Sequence, residues 1–230
     1  MEHNAEEFLT KVIWTIPIGD GIKIYGAVIE MWVVMLIIIG FAIFVTSNMK
    51  IVPKGKQLIA EFIVDTFNRI SKEYLGHYWR IFAPYLGTWF LFLVGLNLLG
   101  LFGIKPPTSK LEVTGSFGMM SIVILFLSTV ILLGPVGWVK SLFKPIFIMF
   151  PFKLLDYFTR TLSLSARLFG NILAGVIIME MIYEGMLHSH KIPIVLPAIA
   201  SIYFDIFDGI LQALIFTFLS MIYLHEALEE

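Results

Sequence analysis

The chain contains no cysteine. That excludes disulfides, thiolate metal sites and a thiol nucleophile, and it leaves the redox compartment open. Charge is scarce as well: 14% of the 230 residues are Asp, Glu, Lys or Arg, against about 25% in an ordinary soluble domain. So little polar surface cannot coat a globule in water. The formal net charge of −1 offers no basic excess to neutralise phosphates, which argues against nucleic acid as a partner. No Gly-x-x-x-x-Gly-Lys phosphate loop and no metal-ligand cluster occurs, so neither a cofactor nor a metal is expected. A cleavable signal peptide is not expected either. Glu2, Glu6, Glu7 and Asp20 precede the first apolar run, the wrong charge sign for such a leader.

What the sequence has in abundance is apolar surface. Hydrophobic residues make up 58% and aromatics 15%, with a mean hydropathy of +0.89. Residues 31–49, 81–104 and 113–139 are uncharged, and each is long enough to cross about 30 Å of hydrocarbon as helix. Helix is the conformation that satisfies their backbone groups in lipid. Between the first two runs, residues 50–80 carry Lys50, Lys54, Lys56, Arg69, Lys72 and Arg80 against Glu61, Asp65 and Glu73. Leu58, Ile59, Phe62, Ile63, Phe67 and Ile70 recur there near helical period, as in a helix lying along a membrane surface. Positive charge on the cytoplasmic side puts this stretch inside and residues 1–27 outside. Residues 105–112 are then outside, turned by Pro106-Pro107, and 140–160 inside, with Lys140, Lys144, Lys153 and Arg160. The expected fold is therefore all-α, one polytopic membrane domain with an outside N-terminus.

The last third differs. Residues 161–187 and 192–224 are strongly apolar yet contain Arg167, Glu180, Glu184, Asp205 and Asp208. A charge at the centre of a membrane helix costs ~2.5–3.5 kcal/mol on insertion scales. Such residues must face protein or water. At 100° per residue, Ser163 and Asn171 share the face of Arg167, with Arg160 a further turn back, whereas Glu180 points away from it. Gly170, Ala174 and Gly175 are small enough for another helix to approach closely. On the second helix Asp205, Asp208 and Gln212 are spaced three and four apart, with Ser201 a turn earlier. They form one polar stripe, as a water-filled path through a membrane requires. An interfacial position near the 188–191 turn is the competing reading for Glu180 and Glu184, and interfacial burial the competing one for Asp205 and Asp208. The His188-x-His190 pair lacks further ligands and reads as a solvated turn.

The stretch Ser163-Leu-Ser-Ala-Arg167-Leu-Phe-Gly-Asn171-Ile-Leu-Ala-Gly175 resembles the signature of the ATP synthase a subunit family. Val52-Pro-Lys-Gly-Lys-Gln57, Asn97-Leu-Leu-Gly100, Lys105-Pro-Pro-Thr-Ser109 and Gln212-Ala-Leu-Ile-Phe216 resemble other segments of that family, so the similarity runs from about residue 28 to the C-terminus. It implies vertical spans followed by a long tilted hairpin over 143–225 that wraps a ring of c subunits. Arg167 would be the family's essential arginine, Asn171 and Gln212 its polar neighbours, with aqueous half-channels on either side. The b-subunit peripheral stalk and the F1 sector are the other implied partners, besides membrane lipid, and the bacterial plasma membrane the implied location. The chain itself would conduct ions, proton or sodium, without catalysing ATP chemistry.

Two departures are informative. Where many members carry a glutamate after the Ala-Gly of the signature, this chain has Val176. Seven positions before the glutamine, where histidine or serine is frequent, it has Asp205. The half-channel acid is expected to have moved to Asp205, with Glu180 as second candidate and Asp208 without a family counterpart. A secondary transporter would use similar charges but usually shows paired repeats, and a non-conducting scaffold leaves the charges unexplained.

Overall fold

A computed structural model describes residues 12–16, 22–47, 49–142, 150–189 and 195–229. It begins with an antiparallel hairpin, β1 (Val12–Ile16) and β2 (Ile22–Tyr25), pairing Trp14 with Ile24 and Ile16 with Ile22. The sequence reading assigned no structure to this N-terminal segment. The strands follow from alternating β-branched and aromatic residues. A lone two-stranded hairpin is marginal in water, and this one runs directly into the first helix.

That helix, α1 (Gly26–Thr46), carries Glu30 in its second turn, is otherwise apolar all round and exposes Leu36, Ile37 and Ile43, as a lipid-facing helix does. Helix α2 (Lys56–Leu75) doubles back against α3 (Trp79–Asn97): Phe67 packs on Phe90 with ring centroids 5.2 Å apart, and Leu75 joins Phe82 and Leu86. The end of α3 tightens into a 3-10 turn, Leu98–Phe102, and a second short turn, Pro107–Ser109, follows the proline pair. Helix α4 (Leu111–Leu142) is interrupted at Gly134, whose φ of 75° precedes Pro135. A proline cannot continue the hydrogen-bond ladder, so the kink falls there.

Helix α5 (Phe150–Ser189) has 40 residues, about 60 Å at 1.5 Å per residue. That is twice the hydrocarbon thickness of about 30 Å, so an upright α5 would protrude well beyond the bilayer core. Helix α6 (Val195–Ser201) continues through a π-helical segment, Ile202–Asp208, into α7 (Gly209–Glu229). Residues 143–149, with which the expected hairpin begins, and the turn around 190–194 lie outside the described residues.

The described residues thus form five helical stretches long and apolar enough to span a membrane, and the all-α polytopic expectation holds. The core lies where α3, α4, α5 and α7 converge. Trp89 packs against Phe216 (5.3 Å) and Phe117 (6.0 Å), with Leu93, Leu96, Leu164, Leu168 and Ala213 buried around them.

Candidate functional site

One face of α5 makes the core and the other is left bare. Leu164, Leu168 and Ile172 are buried, four residues apart, while Ser163, Arg167, Gly170, Asn171 and Ala174 are exposed. The 3.6-residue period produces this split. Arg167 Nη2 donates to Ser163 Oγ at 3.5 Å, a long contact that holds little of a guanidinium's capacity. Among the described residues Arg167 makes no ion pair with a carboxylate.

One turn along, Asn171 Nδ2 donates to Gln212 Oε1 at 2.7 Å. Gln212 is 1% exposed, so this bond ties α5 to α7 at the level of the arginine. The π-helical segment carries both aspartates. Asp205 accepts a hydrogen bond from Ser201 Oγ one turn earlier and lies against Gly100 of the 3-10 turn. Asn97, 2% exposed, donates from Nδ2 to the Gly209 carbonyl at 2.9 Å and accepts from Thr108 Oγ1 at 2.9 Å. The π-helical turn is therefore clamped at its end by an amide from α3. A Cβ on Gly209 would stand 3.0 Å from that of Asn97, so the missing side chain is what lets the two backbones come this close.

Asp205, Asp208, Asn97, Asn171, Phe204 and Val176 line one narrow cleft. Of the expected stripe, Asp205 and Asp208 line this cleft and Ser201 and Gln212 do not, and π-helical winding, not 100° per residue, sets the register. Val176, where the usual glutamate is missing, faces the same cleft as Asp205. Glu180 stands apart, in an ion pair with Lys105 of the connection after the 3-10 turn. At the opposite end of α5, Arg160 pairs with Asp156 and with Glu226 (3.0 Å) and stacks over Tyr223.

Sequence reasoning missed Asn97, Thr108 and Lys105 as members of this neighbourhood. Asn97 carried a usable signal, being an amide inside the otherwise apolar run 81–104. Nothing marked the pairing of Lys105 with Glu180, which depends on how the 105–110 connection folds over α5.

These features define a class: a multi-pass helical membrane protein with a buried polar seam beside an exposed arginine on a long helix. Comparison with known proteins makes it specific. Residues 28–225 match the model of the ATP synthase A chain family, and the chain belongs to that family, hence to the membrane sector of ATP synthase, where it acts with other subunits. It is 30% identical over 220 residues to "ATP synthase subunit a, sodium ion specific" of Propionigenium modestum, covering 89% of this chain and 74% of that one. It is 28% identical to ATP synthase subunit a of Moorella thermoacetica, covering 88% and 90%. ATP synthase subunit a 2 of a Bradyrhizobium species is 33% identical, covering 90% of each.

Proposed function

We propose that this chain is the ion-translocating stator component of a rotary ATP synthase, with Arg167 as the fixed charge that meets each carboxylate of a moving c ring. The observation that carries the reading is Arg167 itself: exposed on the bare face of α5, without a carboxylate partner among the described residues, and flanked by Gly170 and Ala174. In lipid such a guanidinium is costly. Small neighbours let a second helix come close enough to offer it a carboxylate.

The mechanism is electrostatic. An ion arriving through one half-channel neutralises a ring carboxylate, and the neutral site can enter lipid. When the site returns, Arg167 favours the ionised carboxylate and the ion leaves by the other half-channel. As a fixed positive charge the guanidinium also blocks direct passage between the two paths. Each charge crossing 100 mV delivers about 2.3 kcal/mol, and several per turn drive nucleotide synthesis in the F1 sector, to which the b-subunit stalk holds this chain.

Asp205 is the acid of one half-channel. Its support is the shared cleft: a carboxylate from the Val176 side or from the Asp205 side reaches the same space. Asp208 and Asn171 supply further polar groups there, and Gln212 backs Asn171. The N-terminal hairpin and the 105–112 connection face outside, and residues 50–80 the cytoplasm of a bacterium. The transported ion is a proton or sodium. Reconstituted complex assayed with and without sodium distinguishes them.

The test is Arg167→Ala in the reconstituted complex. Ion-driven ATP synthesis should be lost and passive ion leak should rise. Synthesis at the native rate would refute the assignment.

A further inference from the structure

A second cavity, sharing no lining residue with the polar cleft, lies between α1, α3 and α4. Its volume is about 570 Å³, and Val28, Met31, Phe92, Val113, Phe117 and Met120 form its walls. These residues come from α1, α3 and α4. Polar groups gather at one end, where Tyr25 closes β2 and where Lys110 and Glu112 open α4. From Lys110 down to Met120 the chain descends about 15 Å at 1.5 Å per residue. Half of a hydrocarbon core of about 30 Å is the same length. The cavity therefore has the depth of one leaflet, a charged mouth at headgroup level and an apolar interior below it.

The mouth carries both signs. Lys110 is half-buried and Glu112 exposed, and neither makes an ion pair among the described residues. An acid in the first turn of α4 is favoured by the helix dipole alone, which accounts for Glu112 but not for a lysine beside it. Together they complement a zwitterion. We infer that this cavity is a binding site for one aminophospholipid, its acyl chain seated among Met31, Phe117 and Met120, its phosphate at Lys110 and its ammonium at Glu112. The lysine supplies a charge-assisted contact to phosphate, and the carboxylate accepts from the headgroup amine. Phosphatidylglycerol lacks the amine and brings a net negative charge to Glu112, so the site discriminates against it. The inference is independent of the role assigned to Arg167.

The whole complex, purified in mild detergent from bilayers of equal phosphatidylethanolamine and phosphatidylglycerol, provides the test. Retained lipid is quantified by mass spectrometry. The native complex should keep phosphatidylethanolamine over phosphatidylglycerol by about fivefold relative to the bilayer. Lys110→Gln with Glu112→Gln should bring that ratio back to the bilayer value. A phosphatidylethanolamine carrying a photoactivatable acyl chain, used on the native complex, should label Met31 or Met120, which keeps the test open if the substituted chain fails to assemble. Retention in bulk proportion, an unchanged ratio in the double variant, or labelling confined to the outer surface of α1 would overturn the site. So would cross-linking of cavity residues to another subunit in place of lipid.

Discussion

Gly100 and Asp205 meet so closely that a Cβ on the glycine would lie 2.7 Å from the aspartate Cγ. Contact that short forces a movement, and the yielding group is the end of the Asp205 side chain rather than backbone. Gly100→Ala is therefore expected to leave folding nearly unchanged and to displace the carboxylate from its place beside Ser201. Misplacing a reacting group by about 1 Å can cost up to 10²-fold, and a fall of about tenfold in ion-driven ATP synthesis is the expected result. Gly115→Ala, where nothing lies within 4 Å, serves as the control and should behave as native. Native rates in Gly100→Ala would show that the position of Asp205 is immaterial.

The bond between Asn171 and Gln212 makes a different kind of prediction. Gln212 is almost wholly buried, so Asn171→Ala strands its carbonyl oxygen. Leaving a buried acceptor unpaired costs about 1–3 kcal/mol. The pair Asn171→Ala with Gln212→Leu removes both polar groups and should cost less than the two single changes added together. Thermal unfolding of the purified complex, run as a double-mutant cycle, should give a coupling above about 0.5 kcal/mol. Strict additivity would mean that the hydrogen bond contributes nothing.

How much of this was legible beforehand depends on which physical signal each feature leaves. The first three apolar runs write themselves as uncharged stretches, because lipid makes charge at a helix centre costly. The Arg167 face follows from residue spacing, whereas Asp205 and Asp208 share a cleft through π-helical winding that the spacing does not foretell. Three features leave no such trace. The hairpin around Trp14 sits in a segment with too few residues for a periodic pattern. The π-helical winding over Ile202–Asp208 ends where Asn97 reaches the Gly209 carbonyl from another helix. Lys105 finds Glu180 only because the Pro106-Pro107 connection folds back over α5. The last two are tertiary contacts between residues distant in sequence, which local reasoning cannot see.

Asn97 offers a way to loosen the π-helical segment without touching either aspartate. Asn97→Leu removes the donor to Gly209 and leaves the hydroxyl of Thr108, 0% exposed, without its acceptor. Amide exchange across Ile202–Asp208 should then quicken by about tenfold, since the local opening free energy drops by the worth of one buried hydrogen bond. Exchange in α3 below Leu93 should not change. Unaltered protection over 202–208 would mean that the segment holds its winding without the clamp.

Glu180 and Asp205 compete for the role of half-channel acid, and parallel neutralisation separates them. Glu180 is paired with Lys105, whose side chain is 12% exposed while that of Glu180 is 32% exposed. Removing one partner of a fully buried pair costs 3–5 kcal/mol or so, and partial exposure reduces this to about 1–2 kcal/mol. Glu180→Gln should accordingly lower the thermal stability of the complex yet keep ATP synthesis within about twofold. Asp205→Asn should do the reverse, leaving stability near native while synthesis falls about tenfold or more. The carboxylate of Asp205 lies in the cleft with Asp208 and Asn171, whereas that of Glu180 is committed to a cation outside it. An assembled Glu180→Gln complex that cannot move ions, beside an active Asp205→Asn complex, would transfer the role to Glu180.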